Sequence, residues 1–237
     1  MSRLASFRGP STPTSSPVQQ AKQQRHNQGK STPSSPSKQV ESTYHRKVRT
    51  CLQEIRTVTK TWEDLVLFDG LKSLKKLVNT RTDLDDELAR TPDRLPRAHI
   101  VAPDLEIMDQ CIAELDTIIG KLQKQFRRLN SSIETLESVV VEAHKAKGWQ
   151  WVHEEPLWVT WSLEKFATSI SDIIIPYHRS LNSHIEIVNV LRHHSASFET
   201  SREAVDEWVT QPWLQEGGWG TRWEDICDAE VERWEKA

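Results

Sequence analysis

From Leu105 to Ala143 the apolar residues fall at Leu105, Met108, Ile112, Leu115, Ile119, Leu122, Phe126, Leu129, Ile133, Leu136, Val140 and Ala143. The steps alternate three and four without a miss, which is a heptad seam on one helix. At about 1.5 Å per residue, about 44 residues make a rod of roughly 65 Å. A rod of that length does not fit inside a small globule. Its seam has to meet another long helix, and that requirement constrains the rest of the chain.

The nearest candidate lies upstream. No proline occurs between Pro36 and Pro92, and Val48, Leu52, Ile55, Trp62, Leu65, Phe68, Leu71, Leu74, Leu77 and Val78 keep helical spacing. The phase slips near Asp69-Gly70, which predicts a kink or offset there. Thr91-Pro92 and Leu95-Pro96 end the first helix and open a loop. Pro103 suits a first-turn position of the second helix, and Gly148 suits its C-terminal stop.

After Gly148 the chain reads GWQWVHEEPLWVTWSLEKF, with Trp149, Trp151, Trp158 and Trp161 crowded together. Trp149 and Trp151 alternate as in an extended stretch, so one of them is expected to face out. Trp158 and Trp161 are expected to pin the two halves of the chain. Ser162 is a good N-cap, with Glu164 in the first turn. A third helix then carries Leu163, Phe166, Ile170, Ile173, Tyr177, Leu181, Val188 and Leu191, with Pro176 expected to kink it. His193-His194-Ser195 reads equally as a break or a continuation. A helix from Ser197 is closed by Pro212, and Thr221-Arg222-Trp223-Glu224 reads as a capping box for a last helix with Trp223, Ile226, Cys227 and Trp234. DIIIPYH at 172–178 is read as helix from its flanking period.

The fold class expected is therefore all-α. Two long antiparallel heptad-type helices form a coiled-coil hairpin over 44–147. A kinked third helix and short C-terminal helices follow in a Trp-rich region, 148–237, that packs on the hairpin. Residues 1–43 are expected to form a disordered tail. Residues 1–40 carry six basic and no acidic residues and are rich in Ser, Thr, Pro and Gln. Such a stretch buries too little apolar surface to offset the entropy of ordering. With −3 on the whole chain and +6 on residues 1–40, residues 41–237 carry −9.

The search for chemistry is nearly empty. Phosphate-loop and dinucleotide patterns are absent, and EGGWG at 216–220 lacks the lysine. His153-Glu154-Glu155 lacks the second histidine of a zinc helix, and His193-His194 with Cys227 has no ligand spacing. The acidic residues Glu224, Asp225, Asp228, Glu230, Glu232 and Glu235 read as a solvated face. No catalytic, cofactor or metal residue is assigned, and an enzyme is not expected. Cys51, Cys111 and Cys227 show no CxxC pair, which fits a reducing compartment, nuclear or cytoplasmic. No apolar run reaches the ~20 residues of a membrane span, and no apolar leader follows Arg3. The basic groups His45-Arg46-Lys47-Arg49 and Lys121, Lys124, Arg127, Arg128 have no aromatic platform. Nucleic acid is not expected as a direct ligand.

Thr12, Ser16, Thr32 and Ser35 each precede proline, as does Thr91 in the interhelical loop. All five are candidate sites for a proline-directed kinase. About −1.5 to −2 charges per phosphate would cancel the tail's positive charge with three or four modifications.

In the C-terminal half, WVTWSLEKF, IIIPYHRSL, VLRHHSASF and EWVTQPWL together resemble the signature of the cyclin-dependent kinase 2-interacting protein family. The matching residues are Thr160, Trp161, Phe166, Tyr177 and Arg179, closing on Trp208, Gln211, Pro212 and Trp213. Ser162 stands where the family tends to have proline, and both suit a helix start. TWEDLVLFDGLKSLKKL at 61–77 is similar in position and style to the family's first helix. The resemblance implies a non-enzymatic adaptor linked to cyclin-dependent kinase, replication and genome maintenance. It also implies a AAA-type ATPase assembly in large ribosomal subunit maturation, in which the member pairs with a second small helical protein. Candidate partner-binding residues are Trp149, Trp151, Trp208, Gln211, Pro212 and Trp213. The alternative reading is a coiled-coil subunit of a cytoskeletal or kinetochore complex.

Overall fold

The computed structural model describes residues 41–91 and 97–236, and their regular secondary structure is all helical, with no β-strand among the described residues. Helix α1 (Thr43–Asp64) runs through a π-helical turn (Leu65–Gly70) into α2 (Leu71–Arg90). Helix α3 (Ala98–Lys147) follows, then the single-turn α4 (Trp149–His153). The rest comprises α5 (Leu163–Ser171), α6 (Ile174–Leu191), α7 (Phe198–Thr210), α8 (Pro212–Glu216), α9 (Trp219–Glu230) and a 3₁₀ turn (Trp234–Lys236).

The phase slip of the first helix is a π turn. Buried positions Trp62, Val66, Gly70 and Leu74 follow one another at four-residue steps. An α-helix taking only four-residue steps drifts off its face, and one wide turn restores the register. The Leu71 N–H reaches back five residues to the Val66 carbonyl there.

Helix α3 is the spine. Its seam residues at Met108, Leu115, Leu122, Leu129, Leu136 and Ala143 are fully buried. A third column, Cys111, Ile118, Gln125, Ser132 and Val139, is buried as well. Three buried columns in seven make a bundle face rather than a two-stranded seam. The polar residues on its flanks name the neighbours. On one side Glu114, Lys121, Arg128 and Glu142 meet Ser73, Asp69, Glu54 and Lys47. These partners descend as α3 ascends, so α1–α2 and α3 run in opposite directions. On the other side Asp109 and Asp116 meet His194 and Arg192, and Phe126 packs on His178 of α6. Each such half-exposed ion pair contributes only ~0–1 kcal/mol, so the pairs mark register more than they hold the bundle. The segments 44–147 and 148–237 share one hydrophobic core.

Several local expectations are corrected. Pro103 is not in the first turn but inside α3. The extra turn from Ala98 closes through Ile100 and Val101 N–H groups on the Arg97 carbonyl, 3.0 Å each, without using Pro103. The third helix breaks at 172–173, ahead of Pro176, which sits buried in the first turn of α6 where a missing N–H costs nothing. Residues 192–197 are a break. Buried Arg81 holds it, donating to the Leu191 carbonyl (2.8 Å), the His193 carbonyl (3.3 Å) and Ser201 Oγ (3.0 Å). A cation fits the carbonyl end of α6. Thr221 does not cap α9, because the helix starts earlier, from Gly218 at φ +61°. Trp234 lies beyond α9, in the 3₁₀ turn. Gly148, at φ +88°, ends α3 as a stop requires, but Trp149 and Trp151 follow in a helical turn rather than an extended stretch. Ser162 does cap α5, accepting from Lys165 N.

Candidate functional site

The resemblance residues gather into two clusters. The first surrounds the π turn. Trp208 of α7 is completely buried, and its indole N–H donates to the Val66 carbonyl at 3.0 Å. Its ring lies against Gly70, where an added Cβ would sit 2.4 Å from Cζ2. Gly70 therefore serves close approach of the indole. His184 of α6 packs edge-on to the same ring at 4.4 Å. Its Nδ1 lies 2.6 Å from the Ser180 carbonyl and so carries the proton. Burial holds the imidazole below its ordinary pKa, against Ser180 and the nearby Glu207.

Gln211 joins α7 to α8 in the left-handed region, φ +44°. A glycine would adopt that backbone more readily, but Gln211 Oε1 accepts the Trp62 indole N–H at 3.0 Å. Trp62 in turn packs on Tyr177 at 5.1 Å. Pro212 then opens α8 at its first position, the place where a missing N–H is harmless.

The second cluster is the Trp-rich segment. The Glu230 carboxylate of α9 accepts from Thr160 N (2.8 Å), Thr160 Oγ1 (2.7 Å) and Trp161 N (2.9 Å). Trp158 and Trp161 are half-buried, and both pack on Phe166, at 5.5 and 5.4 Å. The Trp158 N–H donates to Glu41 at 3.2 Å, under the Arg49 guanidinium. Arg49, hydrogen-bonded to Glu41, holds that carboxyl below its ordinary value. His45 reaches the Leu157 carbonyl. This cluster fixes the start of α1, the loop and the end of α9 together.

The candidate partner-binding residues separate accordingly. Trp208 is corrected to the interior, and Gln211 is engaged with Trp62. Trp151 is half-buried against Tyr44 at 5.4 Å. Trp149 is 56% exposed and stacked on His153, which pairs with Glu164 at 2.8 Å. Pro212 is exposed, and Trp213 is 38% exposed with the Arg179 guanidinium over its ring at 5.1 Å. Thr91 ends α2, its hydroxyl donating to the Glu87 carbonyl and its own carbonyl accepting from Arg97. Thr12, Ser16, Thr32 and Ser35 lie outside the described residues.

Between α1 and the α8–α9 corner lies a cleft of about 760 Å³, floored by Trp62, Tyr177, Leu214 and Trp223. Sequence reasoning missed it, and it missed the Glu230 anchor and Arg81. None of these carries a local pattern, because each depends on elements distant in the chain. Among the described residues no cluster of His, Cys, Asp and Glu could hold a metal ion, and no helix is long and apolar enough to cross a membrane. No protein-family model matches the chain, and no curated protein matches it.

Proposed function

We propose that the chain is a non-enzymatic helical adaptor, a scaffold subunit of a multiprotein complex. The observation that carries the reading is Trp213 with Arg179. A tryptophan left partly exposed under a guanidinium, on a body that packs most of its other tryptophans, is the residue pair that dominates protein interfaces. Trp149 is a second such anchor. The long helices α1–α2 and α3 supply the bundle to which these anchors are fixed.

By resemblance, the partners proposed are a AAA-type ATPase assembly, a second small helical protein, and cyclin-dependent kinase or replication factors. The compartment proposed is the nucleus, the cytoplasm or both. Affinity purification of the full chain from cell extract, with mass spectrometry, tests this. Recovery of a AAA-type ATPase or replication proteins is the expected outcome. Recovery of tubulin or kinetochore subunits instead would favour the structural-subunit alternative. What speaks against that alternative is that α3 spends a third column of its face on its own chain, leaving no open seam for a second rod.

A further inference from the structure

We infer that the cleft between α1 and the α8–α9 corner binds an extended, basic peptide segment of a partner protein, with one large apolar side chain seated on Trp62 and Trp223. This deepens the adaptor reading by naming the chemistry of one partner.

Three observations carry it. The volume, about 760 Å³, lies within the ~300–1,000 Å³ of ligand pockets, and the floor is aromatic and aliphatic. The second is Tyr177. Its side chain is only 2% exposed and lines the cleft, yet among the described residues no hydrogen bond reaches its hydroxyl. Beside it in the lining, the indole N–H of Trp223 is buried with no hydrogen-bond partner among the described residues, whereas buried polar groups as a rule have one. Burial, with Glu63 nearby, pushes this phenol well above its ordinary pKa, so it stays a donor and suits a carbonyl oxygen. Gln215 and Thr221 are exposed in the same wall and add polar side chains there. An extended backbone presents N–H and C=O groups for such side chains, whereas a helix has already paired its own.

The third is charge. Arg56 in the wall is occupied by Glu224 at 2.7 Å and by the Trp234 ring. Among the described residues Glu63 and Asp225 have no ion-pair partner, against one similarly free cation, Lys60. The −9 carried by residues 41–237 adds a field of the same sign, which draws a basic segment. Gln211, held at φ +44° in the cleft wall, adds the backbone strain that collects at binding sites.

The test is to pan a library of random twelve-residue peptides on the full-length chain and measure the recovered peptides by fluorescence anisotropy. Recovered sequences should place Lys or Arg beside Leu, Phe or Trp. Tyr177→Phe should weaken them about five- to tenfold, the loss of one hydrogen bond. Glu63→Lys with Asp225→Lys alters only exposed positions, so folding should be retained while binding falls more than tenfold. No enrichment, acidic peptides, or binding indifferent to the double charge reversal would overturn the assignment. Co-purification run in parallel separates the two claims. Proteins that co-purify while no peptide binds would remove the cleft and leave the adaptor reading. Peptides that bind as expected while no protein co-purifies would do the reverse.

Discussion

Trp208 and Trp213 stand on either side of one left-handed residue, Gln211, and meet opposite fates. Trp208 is completely buried with its N–H satisfied by Val66, while Trp213 is 38% exposed under Arg179. Both belong to the same short stretch of resemblance. The difference teaches that spacing and residue type do not separate framework from surface. The backbone turn at Gln211 does, by ending α7 and sending α8 off in a new direction. On this account the Trp208 side of the turn holds the bundle together and the Trp213 side meets other proteins.

The sharpest way to break the comparison is Trp208→Ala. Truncating a fully buried tryptophan typically costs ~3–5 kcal/mol, and the midpoint of denaturant unfolding should fall accordingly. A small loss would mean that the π turn does not depend on the indole. Gly70→Ala comes next, at about 1–3 kcal/mol, because the new methyl group meets Trp208 Cζ2 at 2.4 Å. The cost should shrink in a Trp208→Ala background, and a strictly additive double mutant would contradict the contact. Glu230→Ala should cost about 1 kcal/mol and loosen the loop that carries Thr160 and Trp161, read as faster amide exchange at both N–H groups.

His184 supplies a pH test of the buried side. Its folded pKa is depressed, so the unfolded chain binds the proton more readily. Stability from this site is complete above the unfolded value of about 6.5 and is lost as pH falls toward the folded value. Thermal melts should show a decline below about pH 6.5 that is reduced in His184→Phe; an unchanged profile would contradict a neutral buried imidazole. The smallest expected effect on folding belongs to Trp213→Ala, within about 1 kcal/mol, since it gives up a partly exposed ring and one cation–π contact.

Much of the fold was legible in the sequence. The α3 seam announced its buried columns because heptad spacing and helical burial share one geometry. Ser162 and Ser197 announced the starts of α5 and α7, each capping from its own side chain. The slip at Asp69-Gly70 was visible too, though only the structure makes it a π turn with a tryptophan wedged on the glycine. The column Cys111–Val139 was not legible, because Gln125 and Ser132 interrupt its apolar pattern while packing inside. The site was less legible than the fold. Trp208 is buried where α6 and α7 meet the π turn, and the cleft forms where α1, α6, α8 and α9 converge, both over separations of more than a hundred residues. Local pattern does not reach so far.

The central claim, that the two sides of Gln211 divide framework from interface, meets its most direct test in Trp213→Ala. The full-length variant is purified, its melting compared with wild type by circular dichroism, and its co-purifying proteins counted by mass spectrometry. The account predicts native melting with the partner proteins lost. Native melting with partners retained at wild-type levels would contradict it.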